Sequence, residues 1–231
     1  MNREAQRKFG VVLVEDHPMF REQLAQLINK EPDMMVCGEA DNIHDALALI
    51  ESKPTDVAIV DLTLKGPSGL ELIKNLKAKE IDVPVLVLSM HDEMLYAERV
   101  LKAGARGYIT KNEVSAEVRN AIRTVLAGEI YVPARIASRI FESVAIGRKS
   151  ENGVSQLTDR ELEVFELIGR GRSTREISDC LRLGMSTVDT YRARIKTKLH
   201  LENSSQLCHE AIRWVSTGQK ASVKPRTCLE V

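Results

Sequence analysis

Val57-Ala58-Ile59-Val60-Asp61 sets four apolar residues ahead of a single carboxylate. A short apolar run without polar alternation reads as a strand buried on both faces, the kind found inside parallel sheets. Working outward, the same design recurs along the front of the chain. Val11 to Val14 is followed by Glu15 and Asp16, Val85 to Leu88 by Ser89, and Gly107 to Ile109 leads to Lys111. Stretches of helical periodicity separate these runs; Ile43, Ala46, Leu47 and Ile50, for example, recur at helical spacing. Strands alternating with helices are the signature of βαβ units. Five repeats fit into residues 1–130, with helices expected at 18–29, 43–51, 69–77, 94–103 and 115–127. The fold class that follows for this part is α/β, with a five-stranded, parallel, doubly wound sheet.

In such a sheet the carboxyl ends of the strands open on one edge, where open α/β folds place their ligands. Glu15, Asp16, Asp61, Ser89 and Lys111 then converge. Three carboxylates brought together repel, so they need a cation or must hold protons. With oxygen ligands and no cysteine nearby, the cation expected is Mg²⁺. His17 and His91 flank the site and read as loop residues rather than ligands.

The 231 residues are enough for one or two domains, and 43% hydrophobic with 29% charged residues is ordinary globular composition. A formal net charge of zero conceals an asymmetry: residues 1–147 carry 18 Lys+Arg against 22 Asp+Glu, whereas residues 155–231 carry 13 against 10. A mildly basic rear suits contact with a polyanion. Cys37, Cys180, Cys208 and Cys228 are scattered, without a C-x-x-C pair, and read as reduced thiols in a cytoplasmic protein. Glu15 and Asp16 cut the first apolar stretch short, which excludes a signal peptide, and no run approaches the ~18 apolar residues that span a bilayer. No membrane contact is expected.

The rear of the chain is helical. Thr158-x-x-Glu161, Ser173-x-x-Glu176 and Asn203-x-x-Gln206 have the spacing of capping boxes, and Ser186 is a candidate cap for another helix. Gly169, Gly171 and Gly184 separate the first three of four short helices. A helix is also expected at 133–146, followed by a polar linker at 147–156. The domains expected are thus 8–130, a linker helix and flexible linker at 131–156, a small all-α domain at 157–217, and a disordered tail at 218–231.

Residues 8–130 resemble the receiver domain of two-component response regulators, a flavodoxin-like fold, through the acidic pair Glu15 and Asp16, the aspartate Asp61, the hydroxyl of Ser89, the aromatic Tyr108 and the lysine Lys111. The resemblance implies that Asp61 accepts a phosphoryl group from a sensor histidine kinase. It also implies that Asp16, Asp61 and the Thr63 backbone carbonyl hold Mg²⁺, with Glu15 acting through water. Lys111 and Ser89 would contact the phosphoryl oxygens, and Tyr108 would turn inward as Ser89 moves. No enzyme is implied beyond phosphoryl acceptance and slow self-dephosphorylation. An aspartyl-phosphate phosphatase, the enzymatic rival, needs a second aspartate two residues after the first, where this chain has Thr63.

Residues 155–216 resemble the LuxR-type helix-turn-helix domain of the NarL/FixJ family, through Leu157-Thr158-Asp159-Arg160-Glu161-Leu162-Glu163-Val164, Thr174-Arg175-Glu176-Ile177-Ser178 and Ser186-Thr187-Val188-Asp189-Thr190-Tyr191. Helical spacing puts Val188, Tyr191, Ile195 and Leu199 on the packed face and Asp189, Thr190 and Ala193 on the face offered to the major groove of promoter DNA. Thr187 lies beside that face. Arg175, Arg192, Arg194, Lys196 and Lys198 are positioned for phosphates. Two roles stand open for Asp189: accepting from a cytosine amino group, or pairing with Arg192 or Arg194. The last helix carries Leu207, Ala211, Ile212, Trp214 and Val215, and homodimers on paired half-sites are expected, through Trp214 and Val215 above all. The rival to DNA binding is a protein-interaction module behind the same receiver.

Overall fold

The computed structural model describes residues 7–64, 67–90, 94–145 and 153–220. They form, in order, β1 (Phe9–Val14), α1 (Pro18–Asn29), β2 (Met34–Ala40), α2 (Ile43–Ser52), β3 (Val57–Asp61), α3 (Gly69–Ala78), β4 (Val85–Ser89), α4 (Met94–Ala103), β5 (Gly107–Thr110), α5 (Val114–Leu126), α6 (Ala134–Ala145), a 3₁₀ turn (Gly153–Gln156), α7 (Asp159–Gly169), α8 (Thr174–Leu181), α9 (Met185–Lys198) and α10 (Ser204–Lys220). The chain divides into two compact units, Met1–Ala145 and Ile146–Val231.

In the first unit the five strands form one parallel sheet in the order β2-β1-β3-β4-β5. Strand order reverses between β1 and β3, so their loops leave toward opposite faces and open a crevice at the carboxyl edge. Alternate residues feed the two cores. Val11, Leu13, Val57, Ile59, Leu86, Leu88 and Ile109 pack with Leu24, Ile28, Val118 and Ile122 of α1 and α5. The intervening Val12, Val14, Ala58, Val60, Val87 and Tyr108 are equally buried and face the side on which α2, α3 and α4 lie. On the surface, Arg119 and Arg123 of α5 pair with Glu31 and Asp33 in the turn before β2, at 2.7–3.2 Å.

β2 is the strand whose limits the apolar pattern does not give. It is an edge strand with only Met34 and Ala40 buried, and its register with β1 slips between Val11 and Val12, so it lacks a continuous apolar run. At the opposite edge Tyr131 pairs with Gly107. The Tyr108 N–H donates to the Tyr131 carbonyl at 2.8 Å, and the Tyr131 N–H to the Arg106 carbonyl at 3.0 Å. A Cβ on Gly107 would lie 2.6 Å from Leu86 Cδ1 and 3.0 Å from Val125 Cγ2, so the missing side chain lets β4 and α5 pack closely on this strand. The segment expected as a linker from 131 onward is therefore packed on the first unit as far as Ala145. Helix α6 lies on α4, Ile136 is buried, and Arg135 pairs with Glu113 at 3.3 Å. Ile146 and the polar stretch to Asn152 lie outside the described residues.

In the second unit Leu162, Phe165, Ile168, Ile177, Val188, Ile195, Leu207 and Ala211 make the core. Both expected capping boxes at α7 and α8 form: Glu161 and Glu176 side chains accept from the Thr158 and Ser173 N–H groups at 2.7 and 2.8 Å. Asn203 accepts from the Gln206 N–H at 2.9 Å, but the Gln206 side chain reaches Glu202 rather than closing the box on Asn203. Ser186 is not a cap. The N-cap of α9 is Gly184, which places Ser186 inside the first turn. Of the two residues named above all for dimerisation, Val215 is 9% exposed, and the half-buried Trp214 sets its ring 5.8 Å from that of Phe165 on α7. Helix α10 continues through Lys220, past Gly218 where the tail was expected; the remainder lies outside the described residues.

Candidate functional sites

Register brings the strand ends together. Asp61 stands opposite Leu88 and Ser89 opposite Thr110, while Glu15 and Asp16 follow β1 directly. Glu15, Asp16 and Asp61 are 1%, 7% and 1% exposed. The Lys111 ammonium sits 2.6 Å from Glu15 Oε2 and 2.8 Å from Asp61 Oδ2, and its backbone N–H donates to the Ser89 carbonyl at 2.8 Å. One ammonium thus bridges two buried acids, Glu15 and Asp61. Burial raises the Asp61 pKa, Lys111 lowers it and Glu15 raises it again, leaving it pushed up to about 6. Burial would lower the Lys111 pKa, but Asp61 and Glu15 outweigh that and hold it above its usual value.

The β3–α3 connection is fixed by backbone. The Thr63 N–H donates to Asp61 Oδ1 at 3.2 Å, and the Gly69 N–H to the Leu62 carbonyl at 3.0 Å. A Cβ on Gly69 would collide with the Asp61 carbonyl, so the first turn of α3 rests directly on the strand end. Ser89 and Tyr108 are both fully buried. Gly66 and His91 lie outside the described residues.

His17, read from sequence as a loop residue, is the N-cap of α1. Its Nδ1 lies 2.9 Å from both Glu15 Oε1 and Asp16 Oδ1, with the ring largely exposed. Ligand atoms of Glu15, Asp16, His17 and Asp61 all fall within 4.8 Å of one another. Three hard carboxylate donors with surplus negative charge fit a small divalent cation such as Mg²⁺. Sequence reasoning also passed over Phe20, whose ring centroid is 4.8 Å from the Lys111 ammonium, and Arg21, whose guanidinium donates to the Glu15 carbonyl at 2.5 Å. Both stand on the first turn of α1, where an apolar residue and an arginine look like ordinary helix surface.

On α9, Val188 and Ile195 are buried and Tyr191 and Leu199 half-buried, while Thr187, Asp189, Thr190, Ala193 and Arg194 are exposed. The Thr190 hydroxyl donates to the Ser186 carbonyl at 2.9 Å, which leaves its methyl as the group to offer a base. The cations sort into two sets. Arg160, Arg170, Arg172, Lys198 and Arg213 are ion-paired. The side chains of Arg175, Arg192, Arg194 and Lys196 make no ion pair or hydrogen bond among the described residues, nor does that of Asp189, so the pairing of Asp189 with Arg192 or Arg194 does not form. Lys198, grouped from sequence with the phosphate-facing cations, reaches Glu161 at 2.6 Å and the Gln156 carbonyl at 3.3 Å, and so ties α9 to the start of α7. Among the described residues no helix is long and apolar enough to cross a membrane.

The family described as "Response regulator receiver domain" matches residues 11–123, and "Bacterial regulatory proteins, luxR family" matches residues 155–211. Response regulator UvrY of Escherichia coli is 33% identical over 204 residues, covering 88% of this chain and 94% of the relative. The virulence-factor transcription regulator BvgA of Bordetella pertussis is 34% identical over 204 residues, covering 88% and 96%. Among solved structures, a LuxR-family two-component response regulator from Aurantimonas sp. is similar with a TM-score of 0.57 at 33% identity, over 60% of this chain and 99% of that one. RcsB of Salmonella enterica serovar Typhimurium, solved bound to promoter DNA with the phosphomimetic BeF₃⁻, shares the fold with a TM-score of 0.62 at 22% identity, over 91% of this chain and all of that one. Two family matches in tandem, and relatives a third identical over nearly their whole length, place this chain among the DNA-binding response regulators that join a receiver domain to a LuxR-type helix-turn-helix domain.

Proposed function

We propose that Asp61 accepts a phosphoryl group from a sensor histidine kinase, and that this modification controls promoter binding by α9. One observation carries the reading: a single buried ammonium, that of Lys111, bridges Asp61 and Glu15 at the carboxyl edge of the sheet. In the transfer an Asp61 oxygen forms the new bond to phosphorus while the bond from phosphorus to the kinase imidazole nitrogen breaks. The aspartate becomes an acyl phosphate and the ring is released. Glu15, Asp16, Asp61 and the Thr63 carbonyl are the groups that would hold Mg²⁺, which when bound supplies positive charge to the phosphoryl oxygens. Lys111 adds its own charge, and the Ser89 hydroxyl donates to the same oxygens. The group brings roughly −1.5 to −2 charges at pH 7, enough to draw the Ser89 hydroxyl toward it, with Tyr108 turning inward as Ser89 moves.

In the output domain α9 enters the major groove, with Asp189, Thr190 and Ala193 toward base edges, Thr187 beside them, and the unpaired Arg175, Arg192, Arg194 and Lys196 toward phosphates. The protein acts in the cytoplasm as a homodimer on paired half-sites. The test uses purified protein, Mg²⁺ and acetyl phosphate, read by intact mass and by affinity for a duplex selected from a random pool. Wild type should gain one phosphoryl group and change affinity, and Asp61→Asn should do neither. An adduct that persists on Asp61→Asn, or loading that leaves DNA affinity unchanged, would overturn the proposal. Binding unaffected by Arg192→Ala with Arg194→Ala would instead favour a protein-interaction output.

A further inference from the structure

The Lys111 ammonium has three N–H donors and two carboxylates in reach, Glu15 at 2.6 Å and Asp61 at 2.8 Å. The Phe20 ring lies beneath the same nitrogen, its centroid 4.8 Å away, inside the roughly 6 Å range of a cation–π contact. With the Lys111 side chain 6% exposed, the ring stands where water would otherwise solvate the charge. Packing and the bonds of its neighbour hold it in place. Phe20 is half-buried against the core beneath α1 and α5, and the next residue, Arg21, locks the first turn of α1 to the Glu15 carbonyl and to Glu39.

We propose that Phe20 is a positioning residue for phosphoryl transfer: its ring face holds the Lys111 ammonium against Asp61. This rests on the reading of Asp61 as acceptor. An alkyl side chain of similar size would leave one face of a buried ammonium against hydrocarbon, with nothing to offset its lost hydration. A carboxylate there would compete with the phosphoryl oxygens for the lysine. The aromatic face does neither. It attracts the cation without accepting its hydrogen bonds in earnest, so Lys111 stays charged, dry and free to engage the oxygens that arrive on Asp61.

The test compares the full-length protein with Phe20→Leu, Phe20→Tyr and site-specific pentafluorophenylalanine at position 20, each checked for an unchanged thermal transition. The readouts are the rate of Asp61 loading by acetyl phosphate with Mg²⁺, and the proton shifts of the Lys111 ε-methylene, which the ring should move upfield. Phe20→Leu should load about three- to tenfold more slowly, the scale of a desolvated cation–π contact, and Phe20→Tyr close to wild type. The fluorinated ring keeps the volume but reverses the quadrupole, and should follow leucine. Should it load like wild type, or should wild type show no upfield shift, Phe20 is packing alone and the proposal fails. A folded wild type that shows the shift yet never loads would remove the acceptor reading itself, and the transfer role of Phe20 with it.

Discussion

Asp61 is held where burial opposes its charge and Lys111 answers only in part, which is why its pKa is pushed up to about 6. A group whose environment prefers the neutral form weakens the fold when it is ionised. Asp61→Asn should therefore stabilise the metal-free protein at pH 7 by about 1–3 kcal/mol in urea unfolding with EDTA present. Adding Mg²⁺ should narrow that gap by stabilising wild type more; an Asn variant less stable than wild type under chelation would contradict the electrostatic account. Glu15, Asp16, Asp61, Ser89 and Lys111 were legible in the sequence because each ends an apolar run, so the parallel topology alone brings them to one edge. Phe20 and Gly69 were not. An aromatic in a helix and a glycine at a helix start carry the same signature whether they touch a core or a reacting group, and it is the folded arrangement that sets one against Lys111 and presses the other on the Asp61 carbonyl.

Among elements, the start of α7 is tied to the rest of its unit by one side chain with two tasks. Glu161 closes the capping box with Thr158 and also receives Lys198 from α9. Burial alone would raise its pKa, but the hydrogen bonds from Lys198 and Thr158 outweigh it, and Glu161 titrates below its ordinary value of 4.5. A depressed carboxylate contributes stability that is complete above that ordinary value and is lost as the pH falls through the lower value it has in the fold. The second unit of wild type should therefore lose stability in that acid window, and Glu161→Gln should flatten the loss, as followed by circular dichroism of the full chain. Thr158→Ala should cost about 1 kcal/mol through the lost cap. At the other end of α7, a Cβ on Gly169 would collide with the Ala211 carbonyl of α10, so Gly169→Ala should cost about 1–3 kcal/mol by overpacking, measured by denaturant unfolding. Helices were read well because caps and periodicity are local signals. The misses share a cause: β2 is half-exposed at an edge, Ser186 lost the cap to the residue in extended backbone before Met185, and Trp214 could not be assigned a partner until α7 was placed beside it.

Across the whole molecule, charge is divided by task. The first unit keeps its decisive cation inside, on Lys111, whereas the second leaves Arg175, Arg192, Arg194 and Lys196 unpaired among the described residues. The salt dependence of DNA affinity should register this. Arg192→Ala with Arg194→Ala should reduce the slope of log affinity against log salt by about 2, one unit per phosphate contact. Lys198→Ala should leave the slope nearly unchanged and lower the melting temperature instead, since its partner is Glu161. The boundary near residue 146 was legible only as a change of composition; that Tyr131 and α6 belong to the first unit was not, because a one-residue pairing on a sheet edge leaves no pattern. That pairing has a mechanical meaning. Two main-chain bonds fasten the chain after α5 to the edge of β5, and one of them is donated by the amide of Tyr108 itself. The backbone of the aromatic proposed to report on Asp61 is thus clasped by the segment that leads into α6.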